Sequence, residues 1–460
     1  MEIESKASLQ CLDGDGVGDD YFCTVLYNDE SHTFDQVIQT LTKIAKVQHK
    51  EATEIVASID REGRAVVKCD SFGECNALKD AIENQMMPMN IPIPNSRANQ
   101  SLRVSVLHIR AVACQQFALQ LLTWFQEFLV CHSTFRQIFA RIILDKKAPY
   151  CIRHILEYDV ELWKTARTCW HRLLISGMLM EYDNKMALAQ EFSKNYATIV
   201  QDFISDDHDH SFSIVSLSVQ LFTVPSIAHF LIAREGIFYK LLHTFYHKSI
   251  EHFIQNKTLH FSKSVSTLSH FKRAAYILYD LRYILSFKPD VWTSDLREGF
   301  IEGCKGLLRV LNAMQGMESV TRQTGQHMDY EPEWECAFNL HIKLASTISL
   351  VLEWCATDKE VLVKLYQMVM RNLLQNGFIV SQAKVEPRCV AGHIAKCLIY
   401  DVASKPVSIH LPLSRFFAGI YLHLGQYGLN FDLVNTQKKT PEEIMEPILC
   451  TQVMIAQVGS

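Results

Sequence analysis

Residues 21–38 read YFCTVLYNDESHTFDQVI, and this stretch decides how the N-terminal part of the chain folds. Residues 21–27 alternate between two faces and are rich in aromatic and β-branched side chains, which predicts a strand. Thr33 followed three residues later by Gln36 is typical of a helix N-terminus, and apolar residues then recur at helical spacing. The stretch therefore predicts a strand leading into a helix, with the polar group Asn28-Asp29-Glu30 at the junction.

The same reasoning extends the pattern to residue 110. It predicts a helix at 50–58, a turn at 60–63, a strand at 64–68, a helix opened by an S-x-x-E capping box at 71–74, and a strand at 102–106. This order predicts a compact α+β module over residues 20–110, in which helices pack on a three-stranded antiparallel sheet. Residues 1–19 are Gly/Asp-rich and are expected to be a flexible N-terminal segment.

Residues 111–375 show mainly helical periodicity without a fixed repeat, which predicts a large irregular α-helical scaffold. Residues 376–435 are predicted to form a small mixed α/β segment with a C-terminal hairpin, and residues 436–460 a peripheral tail. Residues 211–233 carry no Asp, Glu, Lys or Arg and are long enough to cross a membrane. Pro225 and several polar residues instead favour two buried helices that meet near residues 223–225.

Composition narrows the class of protein. Of the 460 residues, 48% are hydrophobic and 21% are charged, as in ordinary folded domains, and the net charge of −5 argues against a broad nucleic-acid surface. The 14 cysteines include no C-x-x-C pair, and the N-terminus has no secretory signal. Reduced, mostly buried thiols and a cytoplasmic or nuclear location are therefore expected.

Two groups of residues have metal-binding side chains but are better explained without a metal. Cys389, His393 and Cys397, with His410 as a fourth ligand, do not have a common zinc spacing, so buried thiols are favoured. Residues 206–210 read DDHDH and precede an apolar helix, where acidic side chains cap the helix and complement its dipole. A Cys/His hydrolase has no local nucleophile motif to support it.

Two interpretations are open for Asn28, Asp29 and Glu30. They form either a polar turn whose acids complement the helix dipole, or a site for an ammonium group, which needs carboxylate and carbonyl acceptors. Four apolar residues of two adjacent predicted helices accompany them: Phe34, Val37, Val56 and Ile59. These four are either ordinary core or the walls of a hydrophobic pocket.

Two motifs resemble a known domain. Residues 28–38, NDESHTFDQVI, and residues 59–65, IDREGRA, resemble the ClpS-like domain of the eukaryotic N-recognins, which are UBR-type RING E3 ubiquitin ligases. Residues 314–317, 322–327 and 407–415 resemble the central helical region of the same family. The resemblance covers about residues 20–425, and within the family the chain is similar to the first two mammalian members.

This resemblance implies an N-degron-binding function. The family binds bulky hydrophobic (type-2) N-terminal residues of proteins that are then ubiquitinated and degraded by the proteasome. Asn28, Asp29 and Glu30 match the polar group of the bacterial ClpS pocket. His32, Phe34 and Asp60 stand where bacterial proteins have Thr, Met and His. The resemblance thus implies amine binding by Asn28, Asp29, Glu30, His32 and Asp60, beside the hydrophobic pocket of Phe34, Val37, Val56 and Ile59.

The family also has a zinc-binding UBR box and a RING that recruits the ubiquitin-charged E2 enzyme. Zinc modules need closely paired cysteines, so both are expected to lie outside this chain, which is then a segment of a longer ligase. No catalytic residue, cofactor, nucleic acid or membrane is expected for the segment itself. The alternative is a helical scaffold whose ClpS-like module is degenerate and binds no degron. An adaptor that delivers substrates to a protease is a third reading, which the long helical region disfavours.

Overall fold

A computed structural model of the chain describes residues 21–28, 32–84, 101–146, 150–205, 210–255, 258–259, 271–313 and 332–375, together with Phe416, Gly419, Ile420, His423 and Tyr427. The chain divides between Leu217 and Ser218 into two compact units. The C-terminal hairpin, the zinc candidates at Cys389, His393, Cys397 and His410, and the acidic residues 206–209 lie outside the described residues.

The first unit begins with the module expected from the sequence and continues into helices. Its strands and α-helices are, in order, β1 (Tyr21–Tyr27), α1 (Phe34–Lys43), α2 (His49–Glu62), β2 (Arg64–Ser71), α3 (Phe72–Glu83), β3 (Val104–His108), α4 (Ile109–Cys131), α5 (Ser133–Ile143), α6 (Cys151–Glu157), α7 (Lys164–Leu174) and α8 (Tyr182–Ser205). A 3-10 turn at Asp159–Glu161, a π-helical segment at Ile175–Leu179 and 3-10 turns at His210–Phe212 and Ile214–Leu217 complete the unit.

The three strands form one antiparallel sheet in the order β2-β1-β3. Cys23 of β1 is paired with Cys69 of β2 on one side and with Leu107 of β3 on the other. The pairing with β2 shifts by one residue between Thr24 and Val25. The predicted three-stranded antiparallel sheet is therefore confirmed, with the opening strand at its centre.

Strand β1 is buried on both faces, which explains its apolar composition on both sides of the alternation. Leu26 packs into a core with the helices of the module. Cys23, Val25 and Tyr27 point the other way, into a second core that includes Trp163 beside α7. The helical region thus begins by covering the second face of the sheet, and the unit has a helix–sheet–helix arrangement.

The helix ends agree with the sequence in part. Thr33 and Gln36 form the predicted capping box, with the Thr33 N–H donating to the Gln36 side chain at 2.8 Å. Ser71 caps α3 as expected, because its hydroxyl accepts from the Glu74 N–H. The second bond of a capping box, from the Ser71 N–H to the Glu74 side chain, is not formed; the Ser71 N–H donates to the Asp70 carboxylate at 2.8 Å. Glu74 instead accepts from Lys68.

The predicted turn at residues 60–63 is wrong for its first three residues. Helix α2 continues to Glu62, and Gly63 ends it in the left-handed conformation at φ +88°. This is the usual geometry of a glycine that follows a helix C-terminus, because the missing Cβ removes the steric penalty of positive φ.

The second unit is mainly helical. Its described elements are α9 (Ser218–Phe222), α10 (Pro225–Phe230), a π-helical segment (Leu231–Glu235), α11 (Ile237–Phe245), a second π-helical segment (Tyr246–Ile250), a 3-10 turn (Glu251–Phe253), the short strands β4 (Ile254–Gln255) and β5 (Thr258–Leu259), α12 (Ile277–Ile284), α13 (Ser294–Ala313), α14 (Pro332–Cys355) and α15 (Lys359–Gln375). The predicted break near residues 223–225 is present, since α9 ends at Phe222 and Pro225 opens α10.

A buried tryptophan organises the core of this unit. Trp354 of α14 is fully buried and stacks on Phe300 of α13, with ring centroids 5.3 Å apart. Its indole N–H donates to the Leu285 carbonyl at 2.9 Å, which satisfies its one polar atom. Among the described residues no single helix is long and apolar enough to span a membrane, and one bent pair, Ile214–Phe222 with Pro225–Glu235, passes by length and composition alone.

The sequence predicts that most cysteine side chains are buried, and the structure differs from this prediction. Nine cysteines have described side chains and are free thiols, and of these Cys23, Cys75, Cys304 and Cys355 are buried. Cys114 and Cys131, by contrast, are exposed on α4.

Candidate functional site

A pocket of about 270 Å³ opens where β1 ends and α1 begins. Predicted site residues that line it are Asn28, His32, Phe34, Val37, Val56, Ile59 and Asp60, and three further residues join them: Tyr27, Leu102 and Lys164. Asp29 and Glu30 lie outside the described residues. The structure therefore brings every described member of the predicted site to one concavity.

The apolar wall of the pocket comes from the two helices that the sequence analysis paired. Val56 and Ile59 lie one turn apart on α2 and are 4% and 5% exposed. Val37 of α1 packs against the same core, and Leu102 adds an apolar side chain from the segment before β3. Phe34, the first residue of α1, is 52% exposed, so its ring forms a rim and contributes little to the core.

The polar side of the pocket is formed by Asn28, His32, Asp60 and Lys164. The Asn28 N–H donates to the Gly63 carbonyl at 2.9 Å, which fixes the end of β1 against the end of α2. Within the described part of the chain the exposed Asp60 carboxylate makes no ion pair, so it is available to a cation. An amide oxygen, an imidazole and a carboxylate beside an apolar wall suit a ligand with a charged amine and an apolar side chain.

Lys164 is a pocket residue that the sequence analysis missed. It is the first residue of α7, and its Nζ donates to the Asp60 carbonyl at 2.8 Å. The same Nζ lies 4.7 Å from the centre of the Phe212 ring, a cation–π contact. Nothing local in the sequence marks this lysine, because it lies about a hundred residues beyond the segment it contacts.

Contacts around Gly63 explain how α7 reaches the pocket. The Thr165 hydroxyl donates to Glu62, and the bare Cα of Gly63 lies against the backbone of Lys164. Burial would raise the pKa of the Glu62 carboxyl, but hydrogen bonds from Arg61 and Thr165 outweigh this and hold the pKa below its ordinary value. The end of α2 is thus fixed by the helical region as well as by the module.

A second contact between the module and the helical region is formed by a buried arginine, Arg64, which stacks on Trp163. The Arg64 guanidinium of β2 lies 3.3 Å from the centre of the Trp163 ring, and its Nη1 donates to Gln115 of α4 at 2.8 Å. Both residues are at least nine-tenths buried. A stacked, hydrogen-bonded arginine at this position joins the sheet to two helices of the helical region.

The size of the pocket limits its ligands. A cavity of about 150 Å³ is enough to hold benzene, so 270 Å³ accommodates one large side chain with an adjacent polar group. It is too small for a folded partner.

The first unit also contains a buried ionic cluster around Asp159. Asp159 accepts from Arg167 at 2.7 Å, from the His171 ring at 2.7 Å and from the Ile214 N–H at 2.9 Å. Burial raises the pKa of the Asp159 carboxyl, but His171 and Arg167 outweigh burial and hold the pKa below its usual range. The Asp159 carboxylate therefore connects the 3-10 turn at Asp159–Glu161 to helix α7 and to the 3-10 turn at Ile214–Leu217.

Two family models match different parts of the chain. A family described as UBR1/2/3-like ARM repeat domain matches residues 110–460, and the family described as ATP-dependent Clp protease adaptor protein ClpS matches residues 18–92. The chain therefore belongs to the UBR1/2/3-like ARM repeat family. The resemblance noted in the sequence is confirmed.

Individual relatives are named E3 ubiquitin-protein ligases. The chain is 70% identical over 471 residues to E3 ubiquitin-protein ligase UBR1 of Drosophila melanogaster, a match that covers 100% of this chain and 26% of that protein. It is 34% identical to UBR2 of Homo sapiens over 99% of this chain and 26% of the relative, and 35% identical to human UBR1 over 95% and 25%. The chain thus spans about a quarter of the length of these ligases.

The family name includes a repeat that the sequence does not display as a fixed period. Described α-helices range from 5 to 24 residues in length, and π-helical and 3-10 segments interrupt them. Such variation removes a constant spacing of apolar residues even where successive helices pack as a solenoid would. Within the described ranges, no group of His, Cys, Asp or Glu is arranged to hold a metal ion.

Proposed function

We propose that this chain is the substrate-recognition segment of an E3 ubiquitin ligase of the N-degron pathway. In this proposal its ClpS-like pocket binds the free N-terminus of proteins whose first residue is bulky and hydrophobic. Such proteins would be ubiquitinated with an E2 enzyme bound through other regions of the ligase, in the cytoplasm or nucleus, and then degraded. The observation that carries the proposal is the pocket itself, with an apolar wall and acceptor groups side by side.

The two halves of the pocket correspond to the two halves of such a ligand. The first side chain of the substrate would lie against Val37, Val56 and Ile59, where burying it contributes about 1.5–3 kcal/mol. The α-ammonium would lie between Asn28 and the Asp60 carboxylate. Adding the charge-assisted hydrogen bonds gives a total near −8 kcal/mol, which corresponds to about micromolar affinity.

We expect the chain to bind a peptide beginning with Phe at about micromolar affinity. Isothermal titration calorimetry would compare this peptide with its N-acetylated form and with a Gly-first form. The acetyl group removes the ammonium, and glycine removes the apolar side chain, so both are expected to bind at least tenfold more weakly. Equal binding of all three peptides, or none by a folded chain, would reject the pocket and favour the scaffold alternative.

Replacing Phe34 with alanine is expected to weaken binding of the Phe peptide about five- to tenfold, because one aromatic contact is lost. Stability should change little, since the ring is half exposed. Phe72→Ala is a matched control: Phe72 is also the first residue of a helix, follows a hydroxyl cap, is 55% exposed and lies outside the pocket. If both variants lose affinity equally, Phe34 is not a pocket wall.

A further inference from the structure

The second unit contains a larger concavity that plays no part in the proposed degron site. It lies between α13 and α15, with Tyr246 at one end, and its volume is about 850 Å³. We name it the basic groove after its four cationic residues Lys305, Arg309, Lys364 and Arg371. Its described lining residues include no aspartate or glutamate. The whole chain, by contrast, carries a net charge of −5.

The four cations differ in how firmly they are held. Within the part of the chain that the structure describes, Lys305 and Lys364 pair only with glutamates of their own helices, at 2.5 and 2.7 Å. Such exposed pairs exchange readily because water screens them. Arg371 makes no ion pair within the described residues. All of these charges can therefore turn to an anionic ligand.

Arg309 is held in place before any ligand arrives. Its guanidinium lies 4.0 Å from the centre of the Tyr246 ring, and its Nη1 donates to His247 Nε2 at 3.3 Å. His247 in turn engages Glu251 through its other ring nitrogen. A guanidinium fixed in this way loses little conformational freedom when it binds a carboxylate.

Spacing indicates what kind of anion fits. At about 1.5 Å rise per residue, Lys305 and Arg309 are roughly 6 Å apart along α13, and Lys364 and Arg371 roughly 10 Å apart along α15. In an extended peptide, residues two apart are separated by roughly 6.6 Å and share one face, close to the spacing of Lys305 and Arg309, whereas residues three apart face opposite sides. The lining of the groove also includes the apolar residues Ile301, Leu308 and Met368.

From this juxtaposition of cations and apolar side chains, we propose that the basic groove binds an extended acidic segment of a partner protein. In this segment, carboxylates two residues apart share the face that meets the cations, and apolar side chains alternate with them. Single-stranded nucleic acid is a poorer match, because its bases need exposed aromatic platforms and the face of Tyr246 is occupied by Arg309.

The test uses the whole chain and a fluorescent, N-acetylated peptide, Glu-Ala-Glu-Leu-Glu-Ala-Glu amide. Because its amine is blocked, this probe cannot use the degron pocket, so the two proposals fail independently. We expect saturable binding by fluorescence anisotropy and at least tenfold weaker binding when glutamine replaces glutamate. Equal binding of the two peptides, no binding of the acidic one, or stronger binding of a ten-residue oligothymidine would overturn the proposal.

Variants locate the binding. The double substitution Lys364→Glu with Arg371→Glu is expected to weaken binding at least tenfold, and the milder Lys364→Gln with Arg371→Gln several-fold. Lys288→Glu, an exposed lysine outside the groove, changes the net charge without changing the groove and should leave affinity within twofold. Circular dichroism melting confirms that each variant folds. Undiminished binding by both double variants, or an equal loss in Lys288→Glu, would reject the groove as the site.

Discussion

Asp159→Asn is expected to lower the melting temperature of the unit that ends at Leu217 by roughly 6–20 °C. The substitution removes one charged partner of the Arg167 guanidinium, which is fully buried, and the carboxylate that accepts from it. Removing one partner of a buried ion pair costs about 3–5 kcal/mol, and each kcal/mol shifts the midpoint of a unit of this size by roughly 2–4 °C. Thermal unfolding followed by circular dichroism measures the shift.

The control for this variant is Glu157→Gln. Glu157 pairs with Arg153 on the surface close to Asp159, and an exposed pair of this kind contributes little. Glu157→Gln should therefore leave the melting temperature nearly unchanged. A shift of the same size in both variants would show that burial of the Asp159 cluster is not the cause.

The same carboxyl makes stability depend on pH. Because its folded pKa lies below the value in the unfolded chain, Asp159 contributes stability that is fully present above about pH 4 and is lost as the pH falls through the folded pKa. Below pH 4 the native chain is thus expected to lose stability faster than Asp159→Asn. Parallel losses in the two proteins would assign the acid sensitivity to other carboxyl groups.

Gly63→Ala is expected to destabilise the same unit by about 2–6 kcal/mol and to weaken binding at the degron pocket. A Cβ at this position would lie 2.5 Å from the backbone nitrogen of Lys164 and 2.7 Å from its Cβ, and the backbone is left-handed at φ +88°. Overpacking and left-handed strain each cost about 1–3 kcal/mol. Relief of the clash moves α7 away from the end of α2, where Asp60 lies.

Two other glycines separate these causes. Gly236 also has positive φ, at +61°, but nothing lies within 4 Å of a Cβ there, so Gly236→Ala isolates the backbone strain. Gly73 is helical with open space around it, and Gly73→Ala is expected to stabilise α3 slightly. If Gly63→Ala is no worse than Gly236→Ala, contact with Lys164 is unimportant for the fold.

Local sequence patterns were sufficient to predict the module and most of the pocket. The alternation of residues 21–27 and the Thr33 cap predict β1 and α1 because both signals are contained within a few residues. Val56 and Ile59 share one face of a helix, so their proximity follows from helical periodicity. These residues line one pocket with Phe34 and Val37.

Non-local contacts account for what the sequence did not predict. The polar run Asp60-Arg61-Glu62 predicts a turn, yet these residues are helical. The reason is that side chains of α7 cap the C-terminus of α2. Lys164 bonds the Asp60 carbonyl and Thr165 bonds that of Glu62. Helix-terminal carbonyls need such partners, and these come from residues a hundred positions away. The burial of β1 on both faces depends on the same distant segment.

The position of Lys164 in the sequence also determines when the pocket can be completed during protein synthesis. Tyr27 and Lys164 line the same cavity but are about 140 residues apart in the chain. At about 5–20 residues per second, roughly 7–28 s separate their translation. Throughout that interval the nascent module lacks both Lys164 and helix α7, which contacts the end of α2. The complete pocket can therefore form only well after the sheet.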